Sequence, residues 1–257
     1  MTGFLTIFQR EIARFCKVLV QTIITPFVSS FLYLLIFGVS LGGQMAQHQG
    51  VSYLSFLIPG LMMMSLINNS FQNSSSSIVS SKFSGDLEDL RVAPVTDREI
   101  IWAMSLGSVV RGSLVAVITY IVGSLFMYYQ DGHLLGIAHP LTTLFFLLVA
   151  GLTFGMIGIS VAFWATTFDQ LSAFSAFILL PLTYLGGVFL SIEHLHPFWQ
   201  SVSKVNPLLY LINGLRFGIL GVSDVNVWTA GIISLIGFIF FYVLAHISLK
   251  KGSFQRW

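Results

Sequence analysis

"GDLEDLRVAPVTDREI", residues 85–100, is a knot of charge in a chain that is otherwise apolar. Lys82, Asp86, Glu88, Asp89, Arg91, Asp97, Arg98 and Glu99 fall within 18 residues, eight of the 12 Lys and Arg and 10 Asp and Glu that the 257 residues contain. Locally the stretch reads as a short helix. Asp86, Glu88 and Asp89 sit in its first turn, where acids favour the helix dipole. Leu87, Leu90 and Arg91 share one helical face. Ala93-Pro94 ends it, because the residue before a proline avoids the helical region. Thr96-Asp97-Arg98-Glu99 then reads as a capping box that opens the next helix. The residues alone leave two roles open, a solvated loop or a docking element.

Outside this knot the composition sets the solvent. The chain is 55% apolar and 9% charged, with a mean hydropathy of +0.86. Soluble domains carry roughly 25% charged residues, so lipid covers most of this surface. A net charge of +2 points away from nucleic acid as a partner. Cys16, the single cysteine, excludes an intramolecular disulfide and a Cys-based metal site. No Gly-Lys-Ser/Thr occurs, so there is no phosphate loop of the Walker type. If ATP is used, another chain binds it. Arg10, Arg14 and Lys17 precede an apolar run as in a signal peptide, but the run is long and lacks a convincing cleavage pattern, so we read a retained span.

A membrane crossing needs about 20 apolar residues as helix. Residues 18–81 contain no Asp, Glu, Lys or Arg. They hold span one near 20–41 and span two near 53–75, divided by Gly42-Gly43 and the polar stretch that follows. Spans three to six are expected at 101–129, 140–165, 171–190 and 227–249. Two segments stand apart. In 1–19, Phe4, Ile7, Phe8, Ile12, Phe15 and Leu19 recur at helical spacing against Gln9, Arg10, Arg14 and Lys17, which predicts an amphipathic interface helix. The segment 191–221 is apolar but broken by Pro197, Asn206-Pro207, Gly214, Gly218 and Gly221. Two half-helices, about 194–204 and 207–220, that enter and leave by one face fit it; a single tilted crossing is the alternative. The expectation is one all-α permease domain over 1–257.

Basic residues set the orientation. The amino-terminal segment, the 76–100 loop and the carboxy-terminal tail share nine Lys and Arg, while the 42–52 and 130–139 loops have none. The positive-inside rule puts both termini and the 76–100 loop in the cytoplasm. All five Trp (102, 164, 199, 228 and 257) fall near expected membrane boundaries.

Few residues suggest chemistry. Asn68, Asn69, Gln72, Asn73 and Ser76 form one polar stripe at the end of span two. It either lines the path of a polar substrate between two protomers or makes interhelical hydrogen bonds. Arg111 lies about ten residues into span three. Arg111 and Arg216 each snorkel or face a wet cavity. Glu193, His194 and His196 read as a polar turn rather than a metal site, which needs three or four ligands. His246 reads as an interfacial histidine. The GxxxG patterns at 151–155 and 214–218 read as close helix contacts.

The order of motifs resembles a known family. "KFSGDLEDLRVAPVTDREII" after a span, then "LLPLTYLGGVFLSIEHLHPFWQSVSKVNPLLYLINGLRFGILG", is similar to the type-2 ABC exporter permeases, including inner-membrane permeases of Gram-negative bacteria. Their E-E-L-L-V-A-P-V matches residues 88–95, and their L-T-Y-L-G-G-V-F matches 182–189. The resemblance covers nearly all of the chain. It implies six spans, an amino-terminal interface helix, re-entrant half-helices before span six, and a homodimer served by two separate ABC ATPase subunits that carry ATP and Mg. It implies that residues 82–95 form a cytoplasmic coupling helix in which Asp86, Glu88, Asp89, Leu90 and Arg91 meet the ATPase; Arg91 departs from the apolar residue usual there. Asp169 would give a second contact. The chain itself would bind no cofactor and catalyse nothing. The implied cargo is a lipid, glycolipid, polysaccharide or drug-like molecule, exported across a bacterial inner membrane. An ion-driven secondary transporter or channel is the alternative, disfavoured because the spans contain no Asp or Glu away from their ends.

Overall fold

The computed structural model describes residues 2–40 and 50–252, and the side chains of all of these except Thr2, Gln21, Ser40, Arg91 and His194. The turn expected at Gly42-Gly43, and Trp257, lie outside the described residues. The order of elements is α1 (Thr2–Cys16), α2 (Leu19–Tyr33, continued by a π-helical stretch Leu34–Ser40), α3 (Tyr53–Ser84), α4 (Asp86–Val92), α5 (Asp97–Asp131), α6 (Pro140–Trp164), α7 (Phe168–Phe174, a π-turn Ser175–Leu179), α8 (Leu180–Leu185), α9 (Pro197–Val205), α10 (Pro207–Leu220) and α11 (Val227–Lys251). Six of these stretches are long and apolar enough to cross a membrane: Thr22–Val39, Tyr53–Ser84, Asp97–Asp131, Pro140–Trp164, Phe168–Leu185 and Val227–Lys251.

Helix α3 is the axis of the bundle. Of its most apolar 18 residues 78% are buried, against 22% in Thr22–Val39, 17% in Phe168–Leu185 and 22% for the same length of Val227–Lys251. Small residues let its neighbours close on it. Gly112 of α5 faces Leu66 and Ser70, Gly123 faces Ile58, and Gly158 of α6 faces Phe71 and Ser74, each leaving no room for a Cβ. Gly151 and Gly155 of α6 abut Val109, Ser105 and Ser108 of α5, so this GxxxG pattern is a helix contact. Gly214 and Gly218 set α10 against Phe146 and Thr143 of α6 in the same way.

Span two is longer than the sequence reading allowed. It does not end near 75 but continues to Ser84, and at 32 residues is about 48 Å long. Serine favours caps and turns, but here Ser75 donates to the Phe71 carbonyl (2.7 Å), Ser76 to that of Gln72 and Ser74 to that of Gly155 (2.6 Å). The hydroxyls are spent on helix carbonyls, so the serine run stays helical. Span five is interrupted by its π-turn because Pro181 lacks an N–H and crowds the carbonyl one turn earlier.

Between α8 and α11 the chain forms a 3-10 turn (Ile192–His194) and the two short helices α9 and α10. His196 caps α9 and Asn206 caps α10, each followed by proline at the first helical position. Gly218 abuts Thr143 near the start of α6, while Leu208 and Leu211 share a cavity with Phe154 and Ile157 farther along it. Helix α10 therefore runs antiparallel to α6, and its last turn receives hydrogen bonds from the backbone of Ala138 and His139.

Candidate functional site

At the α4 end of the bundle, Gly85 (φ 87°) turns the chain sharply out of α3 into α4. Leu87 is buried in a cluster with Ile7, Ile100, Phe163 and Leu171, and Leu90 packs partly against it. Asp86, Glu88 and Asp89 point outward. Leu90 is half-buried, one side on this cluster and the other left open beside the acids. The apolar residue that α4 does present is Val92, 86% exposed. The side chain of Arg91 lies outside the described residues. Thr96 and Glu99 form the capping box read from sequence, with Thr96 N–H donating to Glu99 Oε2 (2.9 Å) and Glu99 N–H to Thr96 Oγ1 (3.3 Å). Phe83 stacks on Phe168 at 5.7 Å, which places the start of α7, with exposed Asp169, beside the α3–α4 corner. Charges far apart in sequence thus share one face.

Lys82 does not belong to the solvated knot. It is 2% exposed, and its ammonium donates to the carbonyls of Ala162 (2.8 Å), Phe163 (3.0 Å) and Ala165 (3.0 Å), the frayed end of α6. A cation on the last carbonyls of a helix meets both their unpaired acceptors and the negative end of the dipole.

Helix α1 is held on the bundle rather than bare. Ile7 and Phe15 are buried and Glu11 is fully buried. Glu11 accepts from Ser77 (2.6 Å) and Arg14 (3.2 Å); Arg14 donates in turn to Ser76 Oγ (3.1 Å) and Asn73 Oδ1 (3.1 Å). Asn73 donates to Ser108 Oγ (3.4 Å). Asn73 is therefore a structural tie among α1, α3 and α5, not part of an open path, and its full burial fits that role.

Three of the other four members of the stripe, all but Ser76, share a groove of about 330 Å³ between α2 and α3. Helix α2 leans on α5, where Ser30 bonds Thr119 (2.9 Å) and Phe31 meets Phe126 (5.2 Å). That leaves the gap toward α3. Asn68, Asn69 and Gln72 line it from α3, Thr22, Thr25 and Ser29 from α2, and Arg111 from α5. The side-chain amides of Asn68 and Asn69 donate to the carbonyls of Met64 (2.9 Å) and Ser65 (3.0 Å) in their own helix.

The remaining candidates are structural. Arg216 neither snorkels nor meets water. It is fully buried, 3.7 Å above the Phe56 ring, and donates to the Gly187 carbonyl (2.7 Å) and Asn213 Oδ1 (3.3 Å). Stacking and bonded carbonyls add to the favourable charge of Asp224 there. His196 Nδ1 caps α9 by accepting from Phe198 N–H (3.3 Å). Glu193 is exposed, and the side chain of His194 lies outside the described residues. Among the described residues no three His, Cys, Asp or Glu gather as metal ligands. His246 Nδ1 is buried with no partner among them.

Six apolar crossings, one of them nearly enclosed by the rest, with a charged corner helix after the second, define a multi-pass helical membrane protein of the transport-permease kind. The family described as ABC-2 type transporter matches residues 2–220. The inner membrane transport permease YadH of Escherichia coli K12 is 37% identical over 247 residues, covering 96% of this chain and 94% of that one. Nodulation protein J of Rhizobium leguminosarum bv. viciae is 22% identical over 226 residues, 88% of this chain and 85% of its own. The chain belongs to the ABC-2 type transporter family. It is a multi-pass inner-membrane permease, the non-catalytic membrane subunit of an ABC transporter, and that family membership implies an ABC ATPase subunit as its partner.

Proposed function

We propose that this permease works as a homodimer with two separate ATPase subunits and exports an amphipathic cargo: a lipid, glycolipid, lipid-linked polysaccharide or drug-like molecule. ATP and Mg stay on the partner, and this chain binds no cofactor. Both termini and α4 face the cytoplasm, as the distribution of basic residues requires, and α9 and α10 re-enter from the opposite face. The observation that carries the reading is the corner at α3–α4. Three acids and Val92 project from a helix pinned by Leu87, and the Phe83–Phe168 stack brings Asp169 to the same face. That is a rigid, acidic contact surface, and it sits on the end of the axial helix. Such a contact transmits work only if the ATPase grips it differently in its two nucleotide states.

The groove between α2 and α3 supports a path for cargo. Lipid does not tolerate a stripe of amides, and the little-covered faces of α2 and α7–α8 suit a second copy. The test is co-purification. Asp86→Ala, Glu88→Ala and Asp89→Ala together should release the ATPase, and high salt should loosen the wild-type complex by screening the same exposed acids. A complex that survives the triple change intact removes this assignment. Transport unaffected by Asn69→Leu with Gln72→Leu removes the path.

A further inference from the structure

The floor of the α2–α3 groove holds donors with nothing to donate to. Among the described residues, buried Arg111 Nε has no hydrogen-bond partner and its guanidinium makes no ion pair with an acid. Thr22, 2% exposed, carries a buried Oγ1 that is equally unpartnered. Both line the same cavity. The groove contains no Asp or Glu; its other polar walls are amides and hydroxyls. Arg111 lies about 20 Å along α5 from Asp97, well within the apolar slab. A cation at that depth is costly unless an anion or water meets it; Arg216, the other deep arginine, also leaves its Nε without a partner, but its two terminal nitrogens donate to Asn213 and Gly187 and its plane stacks on Phe56.

The groove is also graded along its length. Thr22, Gln72 and Arg111 cluster at the end nearer α1, whereas Tyr33, Leu61 and Met64 line the far end. Beside it α2 exposes Ile24, Phe27 and Phe31. A head that only accepts hydrogen bonds fits the first end, and a hydrocarbon tail fits the second.

We propose that this groove binds a phosphate-bearing amphiphile, with Arg111 and Thr22 donating to the phosphate oxygens and the chain lying along Leu61 and Met64. This deepens the cargo-path reading and rests on it for its purpose, though not for its chemistry. A phosphate head is shared by two sources, a phospholipid of the bilayer and a phosphorylated lipid carried as cargo.

The experiment uses the full chain purified in a neutral detergent and native mass spectrometry. Phospholipid that co-purifies is counted, and dodecyl phosphate and dioleoylglycerol are then titrated. The wild type should hold a phosphate amphiphile, and Arg111→Gln should weaken it by roughly tenfold or more, as loss of a charge-assisted bond does. Arg111→Lys should retain most of the binding and Thr22→Val should lose several-fold, roughly one hydrogen bond, so the result does not hang on one variant that fails to fold. Co-purified phospholipid lost in Arg111→Gln supports the site and names the bilayer as source. Arg111-dependent dodecyl phosphate binding without co-purified phospholipid supports it and names a cargo-like phosphate. Equal binding by wild type and Arg111→Gln overturns the proposal, as does equal binding of neutral dioleoylglycerol, or no binding by the wild type. If phosphate binding depends on Arg111 while Asn69→Leu with Gln72→Leu leaves transport intact, the site stands and the path reading falls.

Discussion

Lys82 and Arg216 show how single cations are accommodated in an apolar bundle. Each donates to backbone carbonyls, three for Lys82 and one for Arg216, which adds an aromatic face and the nearby charge of Asp224. Removing a buried charge's partners, or the charge itself, leaves acceptors stranded. Lys82→Met should therefore cost about 2–4 kcal/mol, read as an earlier thermal midpoint in detergent, with α6 losing protection from hydrogen exchange at its 162–165 end first. Neither arrangement is legible in the sequence. Lys82 reads as a member of the charged knot because its acceptors lie 80 residues away and are main-chain atoms, which carry no residue signature. Asn73 misleads for a related reason. It keeps the spacing of Asn69 and Gln72, yet its position faces Arg14, whose place on α3 depends on how α1 docks.

At the scale of elements, hydropathy and cap chemistry predict most boundaries. Pro140, the Thr96–Glu99 box and the Asn206-Pro207 break each mark a helix start by a local rule, and each helix begins there. What periodicity does not convey is where an amphipathic face ends up. The apolar stripe of α1 reads as a lipid-facing surface, but Ile7 and Phe15 are buried on the bundle and Glu11 is buried among them. Glu11 stands four residues after Ile7 and four before Phe15, on the apolar stripe itself, and its partners Ser77 and Arg14 make it an internal tie. Glu11→Ala should unpin α1 without unfolding the spans. The expected sign is trypsin cleavage after Lys17 several-fold faster than in wild type, as local opening becomes less costly, with the thermal midpoint of the bundle little changed. Equal cleavage rates would show that apolar contacts alone hold α1.

For the whole molecule, the uneven burial of the spans is the main fact: an axial helix nearly enclosed, and three peripheral stretches left for lipid or a second copy. The orientation follows from charge counting and is open to direct labelling. In a Cys16→Ser background, Val92→Cys should react with a membrane-impermeant maleimide in inside-out vesicles and not in intact cells; the reverse pattern would turn the entire scheme over. The continuity of α3 has one more outcome. From Ser84 to Pro59 it is an unbroken strut, and the proline is the first joint along it, because a missing N–H softens the turn there. Just before it Gly60 rests against the Val188 backbone, and beyond it the Tyr53 hydroxyl donates to the Phe189 carbonyl (3.0 Å). On the proposed reading, a stroke begun at the acidic corner would reach the far rim, some 35–40 Å away by helix rise, and the strut would hand it to the turn at 186–190. Stiffening that joint with Pro59→Ala should uncouple motor from cargo: ATP turnover would persist while export slows.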